Sequence, residues 1–405
     1  MLHLAGSKGK GSTALLAESV LRCAGRRVGT FTSPHLERWT ERFRLDGAEV
    51  APEALAAVVQ RLEPHVTALR RAGGETVPSF FDAVTAAALC LFREARVDVA
   101  VLEVGLGGRL DSTNAAEPAL CCITSIELEH TDRLGETLAE IAAEKAGILK
   151  PGVPALCGEL ADEAQAVVDA RAAELGCELA RLGREIAWSA EKLPDGFGQQ
   201  LTVIDGGRRF EAELAVLGRH QAANAALATA ACRRLLGPGF DPERFEKAAS
   251  RGLVEVELPG RVEVISREPW LLVDSAHTEA SARALAEVLG RLERTVDFVL
   301  SVSAGKSLDA ILHALLPLAR SLTLTRAEPS RSLAPDEIAA ASRALAPGLP
   351  LQVVPNPHLA LRAARESLPA DGALCATGSV YLAGIARRVW REDASGRVVV
   401  THSTP

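Results

Sequence analysis

His3-Leu4-Ala5-Gly6-Ser7-Lys8-Gly9-Lys10-Gly11-Ser12-Thr13 stands at the start of the chain, and its reading decides the fold. A short apolar run enters a turn built from Gly6, Ser7, Lys8, Gly9, Lys10 and Gly11. Behind it, Ala14-Leu15-Leu16-Ala17-Glu18-Ser19-Val20-Leu21 reads as a helix. Strand, glycine-rich turn and helix in that order form a cradle for phosphates. Glycines let the backbone approach, turn amides and the helix N-terminus face the anion, and a lysine adds a point charge. A hydroxyl after the lysine can bind Mg²⁺. The pattern departs from G-x-x-x-x-G-K-[ST], because Leu4 stands at the first glycine and Gly11 follows Lys10. A strand-to-helix turn with a solvated lysine is the competing reading.

The chain has 405 residues, enough for two or three domains, and is 48% hydrophobic with a net charge of -7. An acidic chain with scattered arginines lacks the footprint of a nucleic-acid binder. The eight cysteines (Cys23, Cys90, Cys121, Cys122, Cys157, Cys177, Cys232, Cys375) lie mostly in apolar runs and form no C-x-x-C pair. Buried thiols in a reducing compartment are expected rather than disulfides or zinc. No apolar run is long enough to span a membrane, and the start does not read as a signal peptide. The expectation is a soluble cytoplasmic protein without membrane or nucleic-acid partners.

Along the chain, strands near residues 26–31, 97–102, 119–126 and 154–157 alternate with helices near 52–71, 78–95, 137–147 and 162–175. Near-continuous apolar strands such as Val97-Asp98-Val99-Ala100-Val101-Leu102 fit a buried parallel sheet. Ligands of such sheets gather beyond the carboxyl ends of strands. Glu103, which opens Glu103-Val104-Gly105-Leu106-Gly107-Gly108-Arg109-Leu110-Asp111, stands at such an end and can complete a Mg²⁺ site. A lone histidine is more often structural than a ligand, but His130 follows the end of the next strand, which adds weight to a metal role. Lys145 lies in an apolar and acidic helix turn, where a surface salt bridge is the plain alternative. Thr32-Ser33-Pro34-His35 is a polar turn, Arg42 to Gly47 a short strand and tight turn, and the residues between them form a long excursion suited to covering a substrate. Residues 184–213 read as a small antiparallel patch, and Gly218 to Leu235 as a loop and helix carrying Asn224. A hinge at Leu258-Pro259 separates domains 1–258 and 259–405. The second alternates strands and helices into another parallel sheet. The fold class is α/β: a phosphate-loop domain with a mostly parallel sheet and an antiparallel patch, then a smaller Rossmann-like α/β domain.

Together these motifs resemble the folylpolyglutamate synthase/dihydrofolate synthase family of the Mur ligase superfamily. The residues that carry the resemblance are Gly6–Ser12, Thr32-Ser33-Pro34-His35, Glu103–Asn114 and Glu144-Lys145-Ala146-Gly147. It continues in His220-Gln221 with Asn224, Pro259-Gly260-Arg261, Asp274-Ser275-Ala276-His277 and Thr377–Leu382. The resemblance implies ATP-dependent amide formation: a substrate carboxylate takes the γ-phosphoryl group, and the amine of L-glutamate displaces phosphate from the acyl phosphate. The substrate implied is a folate or a dihydropteroate. Residues 1–258 would be the ATP-binding central domain and 259–405 the glutamate ligase domain. The resemblance further implies that Gly6, Ser7, Gly9, Lys10, Gly11, Ser12 and Thr13 hold the phosphates. Asn224, Arg261 and Asp274 match nucleotide-contacting positions, so that ATP is shared by both domains. It also implies two Mg²⁺ sites, with Ser12 and Glu103 at one and His130 at the other. Lys145 matches a lysine that the family carbamylates, and with Lys10 and His130 it forms the expected catalytic set. Ser33, His35 and Phe80, with Phe81, would line the pterin site. A monomer is implied.

Departures from the family pattern are Lys8 for Asn, Glu127 and Glu129 for Gly and Asp, Thr278 for Asn, and Gly305-Lys306-Ser307 for Asp-Lys-Asp. Members also carry a helical segment before the first strand, which suggests a shortened start. The alternatives are a Mur-type ligase with another acid substrate, and an inactive ATP-binding paralogue.

Overall fold

The computed structural model describes residues 1–74, 77–193 and 198–394. It divides into two units, Met1–Glu257 and Leu258–Pro405.

In chain order the first unit contains β1 (Leu2–Ala5), α1 (Lys10–Cys23), β2 (Val28–Phe31), β3 (Phe43–Leu45), β4 (Ala48–Glu49), α2 (Pro52–Ala72), α3 (Phe80–Ala95) and β5 (Val99–Glu103). It continues with β6 (Leu120–Ile123), α4 (Thr131–Leu134), α5 (Leu138–Ala146), β7 (Ala155–Cys157), α6 (Asp162–Glu174) and β8 (Leu179–Arg181). Then come β9 (Ile186–Lys192), β10 (Gln199–Asp205), β11 (Arg208–Leu214), α7 (Arg219–Leu236) and α8 (Pro242–Glu255). Eight strands form one sheet in the order β4-β3-β2-β5-β1-β6-β7-β8. From β2 to β8 it is parallel, with β3 and β4 an antiparallel edge. Strands β9, β10 and β11 form the antiparallel patch; residues 194–197 of that stretch lie outside the described residues.

Register explains the layers. Phe31, Leu102, His3 and Cys121 are successive partners across β2, β5, β1 and β6, so they point to one face. On that face Phe31 and Leu102 pack with Ala87, Ala88, Leu91 and Phe92 of α3. Cys121 and Ile123 pack with Ile141 and Ala142 of α5 and Val168 of α6. The opposite face carries α1 and α7, and α8 packs against α1. The helices start where capping chemistry says they should. Ser79 with Asp82 and Thr137 with Glu140 close capping boxes on α3 and α5.

The second unit contains β12 (Glu263–Arg267), β13 (Trp270–Val273), α9 (Glu279–Gly290), β14 (Val296–Leu300), α10 (Leu308–Leu315), β15 (Ala319–Leu324), α11 (Pro335–Leu345), β16 (Leu351–Val353), α12 (Pro357–Glu366), β17 (Ala373–Thr377) and α13 (Val380–Ala394). Its sheet runs β12-β13-β17-β14-β15-β16. Here the sequence expectation of a wholly parallel sheet needs correction: β12 pairs antiparallel with β13, while the other neighbours are parallel. Only the short link Glu268-Pro269 joins β12 to β13, and so brief a link can make a hairpin but not a crossover. The sequence reading also passed over α4, β8, α8 and α13. It began the first helix at Ala14, whereas α1 starts at Lys10.

Candidate active site

Helix α1 begins inside the glycine-rich turn, so Lys10, Gly11, Ser12 and Thr13 form its first turn; the amides of Lys10, Gly11 and Ser12 lack intrahelical partners, and Thr13 N closes the first helical bond to Gly9 O at 2.8 Å. That places the amide-rich, positive end of a 14-residue helix at the turn. Gly9 precedes it at φ 82°, and an added Cβ would lie 2.4 Å from Asn224 Oδ1. The positive φ favours glycine there, and any other residue would have to displace the Asn224 side chain. The same contact puts Asn224 of α7 directly behind the turn. The Asn224 amide also donates to Gln221 Oε1 at 3.1 Å.

The turn is sewn to the segment after β6. Ser7 N donates to Ser125 O at 2.8 Å and Lys8 N to Ser125 Oγ at 2.9 Å. Thr124 Oγ1 donates to Lys8 O at 2.5 Å, and Glu127 N to Ser7 Oγ at 2.9 Å. Lys10 Nζ folds back onto Gly6 O at 2.7 Å, which holds its charge over the cradle. Ser12 is buried in the first turn.

Glu103 ends β5 opposite Leu4 of β1 and is only 3% exposed, so it is not a solvated strand-end charge. Its Oε2 accepts Ser33 N at 2.9 Å, which ties the loop after β2 to the ends of β1 and β5. Asp111 shapes the run after Glu103, accepting Gly105 N and Leu106 N, each at 3.0 Å. Arg109 then pairs with Glu144 of α5 at 2.9 Å. This loop thereby fixes α5 and the residue that follows Glu144.

That residue, Lys145, is 1% exposed, which removes the surface-salt-bridge reading. Its Nζ lies 3.2 Å from Glu129 Oε1, and Lys8 Nζ lies 3.3 Å from Glu129 Oε2. Burial, then the nearby Lys10 charge, push the Lys145 pKa down to about 8 despite Glu129. Burial would raise the Glu129 carboxyl, but Lys145, Lys8 and Lys10 together hold it below the ordinary range. His130 caps the one-turn helix α4 in a left-handed conformation (φ 49°) and is exposed. Among the described residues no three His, Cys, Asp or Glu side chains gather as a metal cluster. The donors that do fit Mg²⁺ are hard oxygens, the Ser12 hydroxyl and the Glu103 carboxylate.

His35 and Phe80 belong to an aromatic group that the sequence reading only half saw. The His35 and Trp39 rings are 4.6 Å apart, and Trp39 meets Phe80 edge-on at 5.2 Å. Arg42 lies over Trp39 and Phe80 at 5.5 and 5.8 Å, and its Nε donates to His35 Nδ1 at 2.9 Å. Burial, then Arg42, lowers the His35 pKa. Trp39 and Phe80 are about half exposed and edge a groove of about 580 Å³ between α2 and α3. Phe81 instead turns inward, 5.7 Å from Phe31. Glu129, Trp39 and Arg42 were missed as site residues. Trp39 and Arg42 do flank the singled-out Ser33-Pro34-His35 turn, and Glu129 precedes His130.

In the second unit, Asp274 follows β13 and is buried. Its carboxylate accepts Val262 N and Ala276 N, both at 2.7 Å. Val262 sits at φ 48°, a strained position for a β-branched residue, and Asp274 holds it there. Burial raises the Asp274 pKa to about 6. Arg261 donates to Pro259 O at 3.0 Å. Thr278, one of the departures, caps α9 with Ser281.

Comparison with known proteins agrees with this geometry. The Mur ligase middle domain matches residues 4–232, and the Mur ligase glutamate ligase domain matches residues 260–380. A probable bifunctional folylpolyglutamate synthase/dihydropteroate synthase of Halobacterium salinarum is 34% identical over 100% of this chain and 50% of its own length. The chain spans about half the length of that relative and of its Haloferax volcanii counterpart. A dihydrofolate synthase/folylpolyglutamate synthase of Mycobacterium tuberculosis is 34% identical over 84% of this chain and 73% of the relative. Among solved structures, folylpolyglutamate synthase of M. tuberculosis complexed with ADP and AMPPCP superposes with a TM-score of 0.88 at 32% identity, covering 96% of this chain and 90% of that one. The E. coli FolC structure with DHPP and ADP gives 0.84 at 30% identity, covering 98% and 89%. With a phosphate cradle, a buried lysine beside it and both domain families matched in order, the chain belongs to the folylpolyglutamate synthase/dihydrofolate synthase family of Mur ligases.

Proposed function

We propose that the chain is an ATP- and Mg²⁺-dependent ligase that joins L-glutamate to a folate or a dihydropteroate through an acyl phosphate. The observation that carries the proposal is a lysine, Lys145, buried beside a helix-capped glycine cradle that already holds Lys10. Relatives solved with ADP, AMPPCP and DHPP support the choice of ligands.

Gly9, Gly11 and Ser12 would bring backbone amides to the β- and γ-phosphates, Gly6, Ser7 and Thr13 would shape the cradle around them, and Lys10 would follow the charge that builds on the transferring group. Ser12 and Glu103 would hold one Mg²⁺, and His130 would contribute to a second; the metal would neutralise phosphate charge. The neutral Lys145 amine can add to CO₂, giving a carbamate and releasing one proton. The product replaces a buried cation with an oxygen-bearing anion, which suits Mg²⁺. Ser33, His35 and Phe80, together with Trp39 and Arg42, would receive the pterin-bearing acid: aromatic faces take the ring and the guanidinium stacks on it. Asn224, Arg261 and Asp274 complete the proposed nucleotide contacts, Asp274 by holding the backbone next to Arg261. Residues 1–258 then serve as the ATP-binding domain and 259–405 as the glutamate ligase domain. The protein would act as a monomer in the cytoplasm, and among the described residues no helix is long and apolar enough to cross a membrane.

The test is phosphate release with ATP, Mg²⁺ and L-glutamate, offering dihydropteroate or a reduced folate in turn. Release that depends on both glutamate and one of these acids is expected. ATP turnover without either, or none with both, would overturn the assignment.

A further inference from the structure

We propose that Glu129 is a positioning residue that sets the electrostatic balance of the phosphate loop: it restrains the loop's pull on nucleotide and anchors Lys145. The proposal rests on the reading of this loop as the nucleotide site.

Glu129 places one carboxylate oxygen against each of two ammonium groups, Lys145 Nζ at 3.2 Å and Lys8 Nζ at 3.3 Å. The two lysines arrive from different directions, Lys8 from the loop between β1 and α1, Lys145 from α5. The side chains of Lys145, Glu129 and Lys8 are 2%, 14% and 31% exposed, so the network runs from the interior to the mouth of the loop. Lys10 is a third cation near the same carboxylate, and Glu127 is a second carboxylate facing the cluster. Among the described residues, Glu129 is the carboxylate paired with Lys8 and with Lys145.

The backbone of the loop does not depend on this network. Lys8 N and O are bound by Ser125 and Thr124, and Ser7 is bound by Ser125 and Glu127. Replacing Glu129 by an uncharged residue of the same shape therefore changes the charge of the site more than its framework. Three ammonium groups would lose their shared counter-charge, and a polyphosphate becomes the group best able to supply one. Before its amine adds to CO₂, Lys145 would at the same time lose the partner that fixes its position, and a buried cation without a partner moves or is expelled. Nucleotide binding and turnover then change in opposite directions. A residue that merely holds the fold would lower both.

The experiment uses the full chain and titrates ADP, without added divalent metal, by calorimetry at low and high salt. Glu129→Gln should bind ADP about five- to tenfold more tightly at low salt, with a steeper loss as salt is added. Its kcat for ligation should fall at least about tenfold while KM for ATP does not rise. Lys8→Gln should weaken ADP by a similar factor, and the double variant should return near wild type, because the pair cancels. Glu129→Asp keeps the charge, so its ADP affinity should stay within about twofold of wild type while kcat falls through lost reach. This variant also serves if Glu129→Gln does not fold. Unchanged or weaker ADP binding by Glu129→Gln, or tightening by Glu129→Asp, overturns the proposal. Absence of ADP binding by the wild-type chain would instead overturn the reading of the loop. Absence of wild-type ligation with ADP binding intact would overturn only the proposed reaction.

Discussion

Lys145 carries a side chain whose ordinary pKa lies near 10.5 and whose pKa here is about 8. At neutral pH on the order of a tenth is free amine, a hundredfold or more above an exposed lysine. Carbamate formation needs that amine. Lys145→Ala should therefore be nearly inactive in phosphate release, with partial recovery on adding short carboxylic acids, while Lys145→Arg should be inactive without recovery. A fully active Lys145→Ala enzyme would reduce the residue to packing. Lys10→Ala should lose on the order of 10²–10³-fold in rate with an unchanged thermal melt. His3 offers a pH test of the fold beneath the loop. Its Nε2–H donates to Thr113 Oγ1 at 2.8 Å, since that hydroxyl itself donates to Asp111 Oδ1, and its Nδ1 is buried without a partner. Burial, aided by Lys150, lowers its pKa from 6.5 to about 4. Between those values the unfolded chain binds more protons, so the stability contribution is complete above pH 6.5 and is lost as pH falls toward about 4. The loss amounts to about 2–3 kcal/mol. Urea titrations across this window should show that slope in the wild type and a flatter one in His3→Gln.

Helix α8 shows what supports the loop from behind. Gly252 lies against α1 so closely that a Cβ would stand 2.7 Å from Val20 Cα, and Ser19 Oγ donates to Gly252 O at 2.8 Å. The atoms a Cβ would meet, Val20 Cα and N and Ser19 C, are all backbone, so the helices must separate to admit a methyl group. Gly252→Ala should cost about 1–3 kcal/mol, read as a lower urea midpoint. Because the proposed phosphate-binding amides belong to α1, the same variant should weaken ADP. A wild-type midpoint would show that the α1–α8 contact is looser than described. The start of α8 was legible, with Asp241 as cap and Pro242 at the first position. It was obscured by Leu253-Val254-Glu255-Val256-Glu257-Leu258, whose alternation imitates a strand. By contrast, the ranges of α3 and α5 were read within a few residues, and the structure closes each with a capping box.

Each of the two units has a core of its own, the first centred on Phe31, Leu102 and Ile123, the second on Leu272, Phe298 and Cys375. Two calorimetric transitions are expected. ADP in hundredfold excess over its Kd should raise the transition of the first unit by about 5–10 °C, since ligand binding to the native state adds about 2.7 kcal/mol. An unmoved first transition would contradict the placement of the phosphate cradle in that unit.

By itself the sequence determined the kind of molecule. Apolar strands alternating with helices point to mostly parallel sheets, and a glycine-rich turn before a helix points to an anion site, because both follow from local backbone chemistry. It also singled out Glu103 at a strand end and Lys145 in an apolar and acidic helix turn. Tertiary structure alone decided which groups meet. Lys8 and Glu129 are 121 residues apart and join only because β1 lies beside β6. Ser33 and Glu103 join only because β2 lies beside β5. Strand order and register control such meetings, and a register shift of one residue would turn every side chain of a strand to the other face. That dependence is global, so no reading of neighbouring residues could assign Glu129 its two lysines or Asp274 the strained amide of Val262.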